Sequence, residues 1–263
     1  MTKILPYHRA VVTGASSGIG AEIAKQLCTS NVTVFAVART GSKLDEVRRT
    51  LPPNKQKFFV AVEGDLTSAD DIDRVIKKAS IGGAVDLLVN NAGVGYCKRF
   101  EDLSVDEINT TINTNLTGPL RLSHGILRSR KPKQELHIVF VTSLAGKVGF
   151  GELSAYSATK FALEGICEAL RLEFLNSPVA ITVLRPGITD TGFFEKAGMD
   201  EFRQSVKGSK SFYSAKRVAS EFIKKIPEKP NAIVVGNDKY FLSLLPFIPF
   251  RHRFRILDIV NKI

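Results

Sequence analysis

The 263-residue sequence predicts an α/β fold built on a parallel sheet. Three observations carry that expectation. Short apolar runs of strand length alternate with longer helical stretches, the pattern of successive βαβ units. A glycine-rich turn joins the first run to the first helix. The residues able to do chemistry fall at the carboxyl ends of the runs, where parallel sheets hold their ligands. Hydrophobic content of 44% with 24% charged residues excludes a disordered chain and fits one packed domain. No Pro/Gly/Ser-rich linker, low-complexity tract or fixed-period repeat divides the sequence.

In chain order, the first strand spans Arg9 to Thr13 and runs into Gly14-Ala15-Ser16-Ser17-Gly18-Ile19-Gly20, followed by the helical pattern AEIAKQLC. Strand, glycine turn and helix in that order form the context of a dinucleotide fingerprint. The glycines let the backbone approach a pyrophosphate, and amide groups at the helix N-terminus meet its charge. The next strand, Val32 to Ala38, ends at Arg39. An NAD site presents a carboxylate to the ribose hydroxyls there, whereas arginine accommodates a 2′-phosphate, so Arg39 favours NADP. Its alternative is a solvated strand-end charge.

A helix from Lys43 to about Thr50 stops at Pro52-Pro53. The strand Lys57 to Val62 leads to Asp65 and Leu66, where Asp65 either accepts from an adenine amino group or caps the following helix, Ser68 to about Ala79. The run Asp86 to Val89 enters Asn90-Asn91-Ala92-Gly93, a strand end where asparagine amides can tie neighbouring strands together and Gly93 allows close approach to a cofactor. His137 to Thr142 reads as a buried strand with Ser143 at its carboxyl end.

Beyond it, Tyr156 and Lys160 are four apart, so on a helix they share one face. A neighbouring ammonium can lower the phenol pKa toward the working range of a general acid or base, and Ser143 could hydrogen-bond the oxygen with which Tyr156 exchanges a proton. Alone, Tyr156-x-x-x-Lys160 reads first as an ordinary helix pair, with Ser143 a turn residue.

Together, the Thr13-Gly-x-x-x-Gly-x-Gly turn, Asn90-Asn91-Ala92-Gly93, Asn115, Ser143, Tyr156-x-x-x-Lys160 and Pro186-Gly187 resemble the short-chain dehydrogenase/reductase family in its classical form, over residues 7 to 236. The resemblance implies a single Rossmann-type, doubly wound domain with a seven-stranded parallel sheet, here residues 1–237, followed by a C-terminal extension over 238–263. It also implies an NADP(H)-dependent oxidoreductase. Tyr156 would be the acid/base and Ser143 would orient the substrate oxygen. Lys160 would lower the tyrosine pKa and bind the nicotinamide ribose, and Asn115 would hold a water that relays protons from Lys160. The cofactor would lie along Gly14, Ser16, Ser17, Gly18, Ile19, Gly20, Arg39, Asp65, Leu66, Asn91, Ala92 and Gly93. Beyond these, Tyr156, Lys160, Pro186 and Gly187 would also meet it, with Ile188 and Thr191 at the carboxamide. Thr189 stands where the family more often has valine.

Phe193, Phe194, Met199 and Phe202 follow in a segment expected to be irregular to about Ser211, and with Leu144, Phe150 and Leu153 they either line a pocket for a lipid-, steroid- or aromatic-like carbonyl or alcohol or only fill core. A further helix, Ser214 to Lys225, and the strand Ala232 to Val235 complete the sheet.

The net charge of +11 is concentrated late, with fourteen Lys or Arg against six Asp or Glu from Lys196 onward. Nucleic acid is not the expected partner, because no basic block interleaved with aromatics is present. Phe250, Phe254 and Leu257 beside Arg251, Arg253 and Arg255 instead suggest an amphipathic helix on an anionic membrane surface. The alternative is cover for a neighbouring subunit, since the family resemblance implies a homo-oligomer, a dimer or tetramer. The three cysteines lack any Cys-x-x-Cys spacing, and with the short apolar start they predict a cytoplasmic protein, at most peripheral to the membrane, without structural metal. The competing functional class is an NADP-binding regulatory or scaffolding protein on the same fold.

Overall fold

The computed structural model describes residues 4–209 and 212–236. The expected C-terminal extension over 238–263, with its membrane-surface reading, lies outside the described residues.

β1 (Arg9–Thr13) leads through the glycine turn to α1 (Gly18–Thr29), β2 (Thr33–Ala38), α2 (Gly41–Arg49) and β3 (Phe59–Glu63). After α3 (Ala69–Ser80), the chain crosses to the other side of β1 and forms β4 (Leu87–Asn90). α4 (Val105–Ile112) and α5 (Gly118–Ser129) lead to β5 (Leu136–Val141). The long α6 (Ser154–Glu173) then precedes β6 (Val179–Pro186). Next come β7 (Thr189–Asp190), α7 (Phe193–Lys196), α8 (Asp200–Val206) and β8 (Tyr213–Ser214). α9 (Ala215–Lys225) and β9 (Ala232–Val235) close the sheet.

The seven-stranded sheet has the order β3-β2-β1-β4-β5-β6-β9, and every pairing in it is parallel. This is the doubly wound fold expected. β1 pairs with both β2 and β4, so the direction of winding reverses there and opens a crevice at the strand ends.

Helices cover both faces, which explains why the strands are apolar throughout. Ala10 and Val12 pack with Ile23 and Leu27 of α1 and Phe222 of α9. Val11, between them, faces Val75 of α3, Leu122 of α5 and Leu163 of α6. The period of two along β1 sorts its side chains to opposite cores. His137 belongs to this scaffold: Nδ1 lies 2.7 Å from the Tyr7 hydroxyl and Nε2 2.7 Å from Thr182 Oγ1. Its burial holds the imidazole down to about 3.

Most boundaries differ from the sequence reading by one or two residues. Residues Pro53–Phe58 form a 3₁₀ turn, with Pro53 at its start, and delay β3 to Phe59. The segment expected to be irregular contains α7 and α8, and β7 pairs with β8 to fold it back over the strand ends.

Candidate active site

The glycine turn is shaped by contacts that exclude side chains. Gly14 has φ +64°, and a Cβ there would lie 2.9 Å from Ala92 Cα; one on Gly20 would lie 2.3 Å from Asn91 Nδ2 and 2.5 Å from the Gly14 carbonyl. Thr13 Oγ1 accepts from the amides of Asn91 and Ala92 at 2.9 and 3.0 Å, while Asn91 Nδ2 donates to the Thr13 carbonyl at 2.9 Å. The Asn-Asn-Ala-Gly strand end thereby holds the turn open beside the N-terminus of α1. It forms a cradle of backbone amides that fits the pyrophosphate of a dinucleotide.

One cavity of about 1330 Å³ runs from this turn across the ends of β4, β5 and β6. Its wall includes Gly14, Ser16, Ser17, Gly18, Ile19, Arg39, Asp65, Leu66, Asn91, Ala92 and Gly93. Further along stand Ser143, Tyr156, Lys160, Pro186, Gly187, Ile188 and Thr191. Of the residues singled out from the sequence, Gly20 and Asn115 lie behind this wall. Arg39 is exposed at the end of β2. Asp65 does not cap α3: Ser68 does so, accepting from the Asp71 amide, while Asp65 Oδ1 accepts from the amide and hydroxyl of Thr67, both at 2.9 Å. The cap alternative for Asp65 is therefore removed. The Ile188 carbonyl accepts from the Tyr213 amide at 2.8 Å, and Thr191 Oγ1 accepts from the Phe193 amide at 3.3 Å.

α6 carries Tyr156 and Lys160 on one face. The Tyr156 ring is half-buried against Phe193, with ring centroids 5.2 Å apart, and Lys160 Nζ lies 5.5 Å from the tyrosine centroid. Lys160 is buried and donates to the Val141 carbonyl at 2.9 Å. Desolvation pushes the Tyr156 phenol up to about 12, and the hydrogen bond from Ser143 pulls the other way. Desolvation likewise pushes the Lys160 ammonium down to about 8. The lowering of the phenol by Lys160 expected from their spacing is therefore not the dominant effect. Burial outweighs it because the ammonium is committed to a backbone carbonyl rather than to the phenol oxygen. Ser143 Oγ accepts from the Ala145 amide at 3.2 Å, which leaves its own proton to donate toward Tyr156 or a ligand oxygen.

Asn115 sits in a π-helical turn, Asn113–Thr117, between α4 and α5. Its side chain is occupied: Oδ1 accepts from the Val94 amide at 2.8 Å, while Nδ2 donates to the Val94 carbonyl at 2.8 Å and to Thr159 Oγ1 at 3.2 Å. Any relay through this residue falls to its main chain. There the residue four positions on is Pro119, which has no N–H to donate to the Asn115 carbonyl.

The sequence reading missed Glu164. It lies one turn beyond Lys160 and is buried. Arg185 holds it through two hydrogen bonds, one of them 2.7 Å from Nε to Oε1. Thr142 Oγ1 donates at 2.9 Å, and Lys147 Nζ stands at 3.3 Å. Burial pushes the carboxyl up, but Arg185 and its other donors outweigh it and hold it below the usual range. This carboxylate fastens α6 to the residues preceding Ser143 and Pro186. A glutamate four residues after the lysine, with an arginine just before Pro-Gly, was the available signal, but no spacing rule joins positions so far apart.

At the other end the cavity wall is apolar, formed by Leu144, Phe150, Leu153, Phe193, Met199 and Phe202. Phe194 also lines this end, its ring 5.8 Å from that of Phe202 and 6.4 Å from that of Phe212. Among the described residues no cluster of side chains is arranged to hold a metal ion, and no helix is long and apolar enough to cross a membrane.

The model of the short chain dehydrogenase family matches residues 8–201. A 3-ketodihydrosphingosine reductase from Bos taurus is 32% identical over 92% of this chain and 75% of the relative. A short-chain dehydrogenase structure from Streptomyces avermitilis superposes with a TM-score of 0.80 at 27% identity, covering 98% of both chains. Another from Burkholderia cenocepacia, in complex with NADP, gives 0.75 at 25% identity over 89% of this chain and 98% of that one.

Proposed function

Because the chain belongs to the short-chain dehydrogenase/reductase family and is an NADP(H)-dependent oxidoreductase, we propose that it interconverts a ketone and a secondary alcohol on a long-chain lipid. The observation that carries this reading is one cavity with two ends. Ser143, Tyr156 and Lys160 stand between a glycine-lined cradle with Arg39 on one side and an apolar chamber on the other. The lipid ketone named for the bovine relative suits that chamber.

The backbone of the glycine turn would hold the pyrophosphate, Arg39 the 2′-phosphate and Asp65 the adenine amino group. Ile188 and Thr191 would hold the carboxamide, and Lys160 the ribose. When bound, the nicotinamide supplies the hydride that reaches the carbonyl carbon. In that direction Tyr156 gives its phenolic proton to the substrate oxygen, while the Ser143 hydroxyl donates a hydrogen bond to the same oxygen and fixes its position. The Lys160 ammonium offsets the negative charge left on the phenol. Proton return from solvent follows Lys160 and the main chain at Asn115.

Supporting a homo-oligomer, Val105, Phe161 and Leu172 on the outer faces of neighbouring α4 and α6 are 71%, 45% and 75% exposed.

The test is NADPH consumption with 3-ketodihydrosphingosine and with a panel of shorter ketones, comparing the native chain with Tyr156→Phe. The expected result is turnover that favours the long chain and is lost in the variant. Equal rates in both proteins would overturn the mechanism, and a preference for short polar ketones would overturn the substrate class.

A further inference from the structure

Five charged residues line the cavity. Arg39 and Asp65 follow β2 and β3 at the cradle, and Lys160 stands beside Tyr156. The other two, Glu152 and Lys196, belong to the segments that wall the apolar chamber. Glu152 lies between Phe150 and Leu153, on the connection from Ser143 to Tyr156. Hence the segment that joins the two oxygen-binding groups also brings a carboxylate into the same cavity.

Glu152 is exposed, yet two features of its backbone set it apart from a freely solvated surface glutamate. Its backbone is left-handed, with φ +59°, a conformation costly for a residue with a side chain unless its surroundings impose it. Those surroundings are visible: the Lys98 amide donates to the Glu152 carbonyl at 2.9 Å, and the Cys97 amide beside it donates to the Ala197 carbonyl at 2.8 Å. The first bond pins the segment containing Glu152 to the strand-end loop after β4, and the second pins that loop to the turn after α7. Its carboxylate, by contrast, accepts only a long contact from Cys97 Sγ at 3.7 Å and has no ion pair among the described residues, Lys196 included. A held backbone therefore presents an acceptor-only, anionic group at the border of an apolar chamber. Such a group is complemented most strongly by a cation with N–H donors.

We propose that Glu152 recognises an ammonium group on the substrate, so that the cavity takes a long-chain ketone carrying an amine near its carbonyl. This rests on the ketone-reducing reading of the same site. The apolar chamber accommodates the alkyl chain, Ser143 and Tyr156 the oxygen, and Glu152 the amine. A lipid ketone of equal length without a cationic nitrogen would bind with the chain and the oxygen alone.

The experiment compares kcat/KM for 3-ketodihydrosphingosine, an amino ketone, with that for its N-acetyl derivative, which keeps the chain and loses the charge. The native chain prefers the free amine, and in Glu152→Gln that preference falls about tenfold, with Glu152→Asp retaining part of it. A preference unchanged in Glu152→Gln overturns the proposal. A measurement needing no variant is inhibition of the native chain by dihydrosphingosine against N-acetyldihydrosphingosine. Stronger inhibition by the free amine supports the proposal, and equal inhibition overturns it. Failure of the underlying reading looks different: the native chain would then reduce neither ketone.

Discussion

Tyr156 and Lys160 face each other at the centre of the site, and burial moves their proton affinities in opposite senses. The phenol, at about 12, stays protonated across the physiological range, as the donor of the proposed reduction must. The ammonium, at about 8, loses its charge just above neutrality. As pH rises through about 8, the positive charge beside the forming phenolate disappears, so kcat/KM for ketone reduction is expected to fall on the alkaline side with an apparent pKa near that value. A pH–rate profile at saturating NADPH checks this, and Lys160→Arg should carry the limb upward because arginine does not deprotonate in this range. The same shift acts on folding: between about 8 and the ordinary lysine value of 10.5 the unfolded chain binds more protons here, so this group adds stability as pH rises across that window. Removing the phenol oxygen in Tyr156→Phe should cost about 10²–10⁴ in kcat while fluorescence-detected NADPH binding is retained. At the opposite end, Arg39→Ala should raise the KM for NADPH about tenfold and leave that for NADH nearly unchanged. Equal changes for both nucleotides would remove the phosphate contact.

α6 does more than carry two side chains. Its Tyr156 face closes the cavity, and Glu164, one turn further on, is the anchor that sets where this face lies. Thr142 and Arg185, which bond to it, immediately precede Ser143 and Pro186, so three site segments share one buried carboxylate. Glu164→Ala leaves Arg185 without its partner, and removing one member of such a buried pair costs about 3–5 kcal/mol, to be read from urea unfolding. The sign with pH follows from the lowered carboxyl: its stabilising contribution is present above the ordinary carboxylate value of 4.5 and is lost as pH falls below it. The acid loss of stability should therefore be shallower in Glu164→Gln than in the native chain. The π turn Asn113–Thr117 works on α4 and α5 in a comparable way, because Pro119 withdraws a donor where Asn115 must turn inward.

For the molecule as a whole, the reversal of winding at β1 gathers every site segment at the carboxyl ends of the strands, while Val105, Phe161 and Leu172 stay exposed on the outer faces of α4 and α6. Light scattering should find more than one chain per particle, and Phe161→Glu, a charge placed on that exposed face, should reduce the particle to a single chain without loss of helical signal. The parallel sheet, the glycine turn and Tyr156-x-x-x-Lys160 could be read directly, because each depends on residues close in sequence whose spacing is set by strand and helix periods. The placement of Arg39 and Ser143 could also be read, since Arg39 directly follows the apolar run of β2 and Ser143 stands two residues beyond β5. The bonds that make these segments one site could not. Glu164 and Arg185 meet across two elements, Asp65 turns to Thr67 instead of capping α3, and Glu152 is pinned by the backbone of Lys98. By itself the sequence determined the elements and the kinds of chemical group at their ends, since local backbone geometry and apolar periodicity suffice for that. Only the tertiary structure decided which groups share a buried environment, and burial rather than spacing sets the proton affinities of Tyr156 and Lys160.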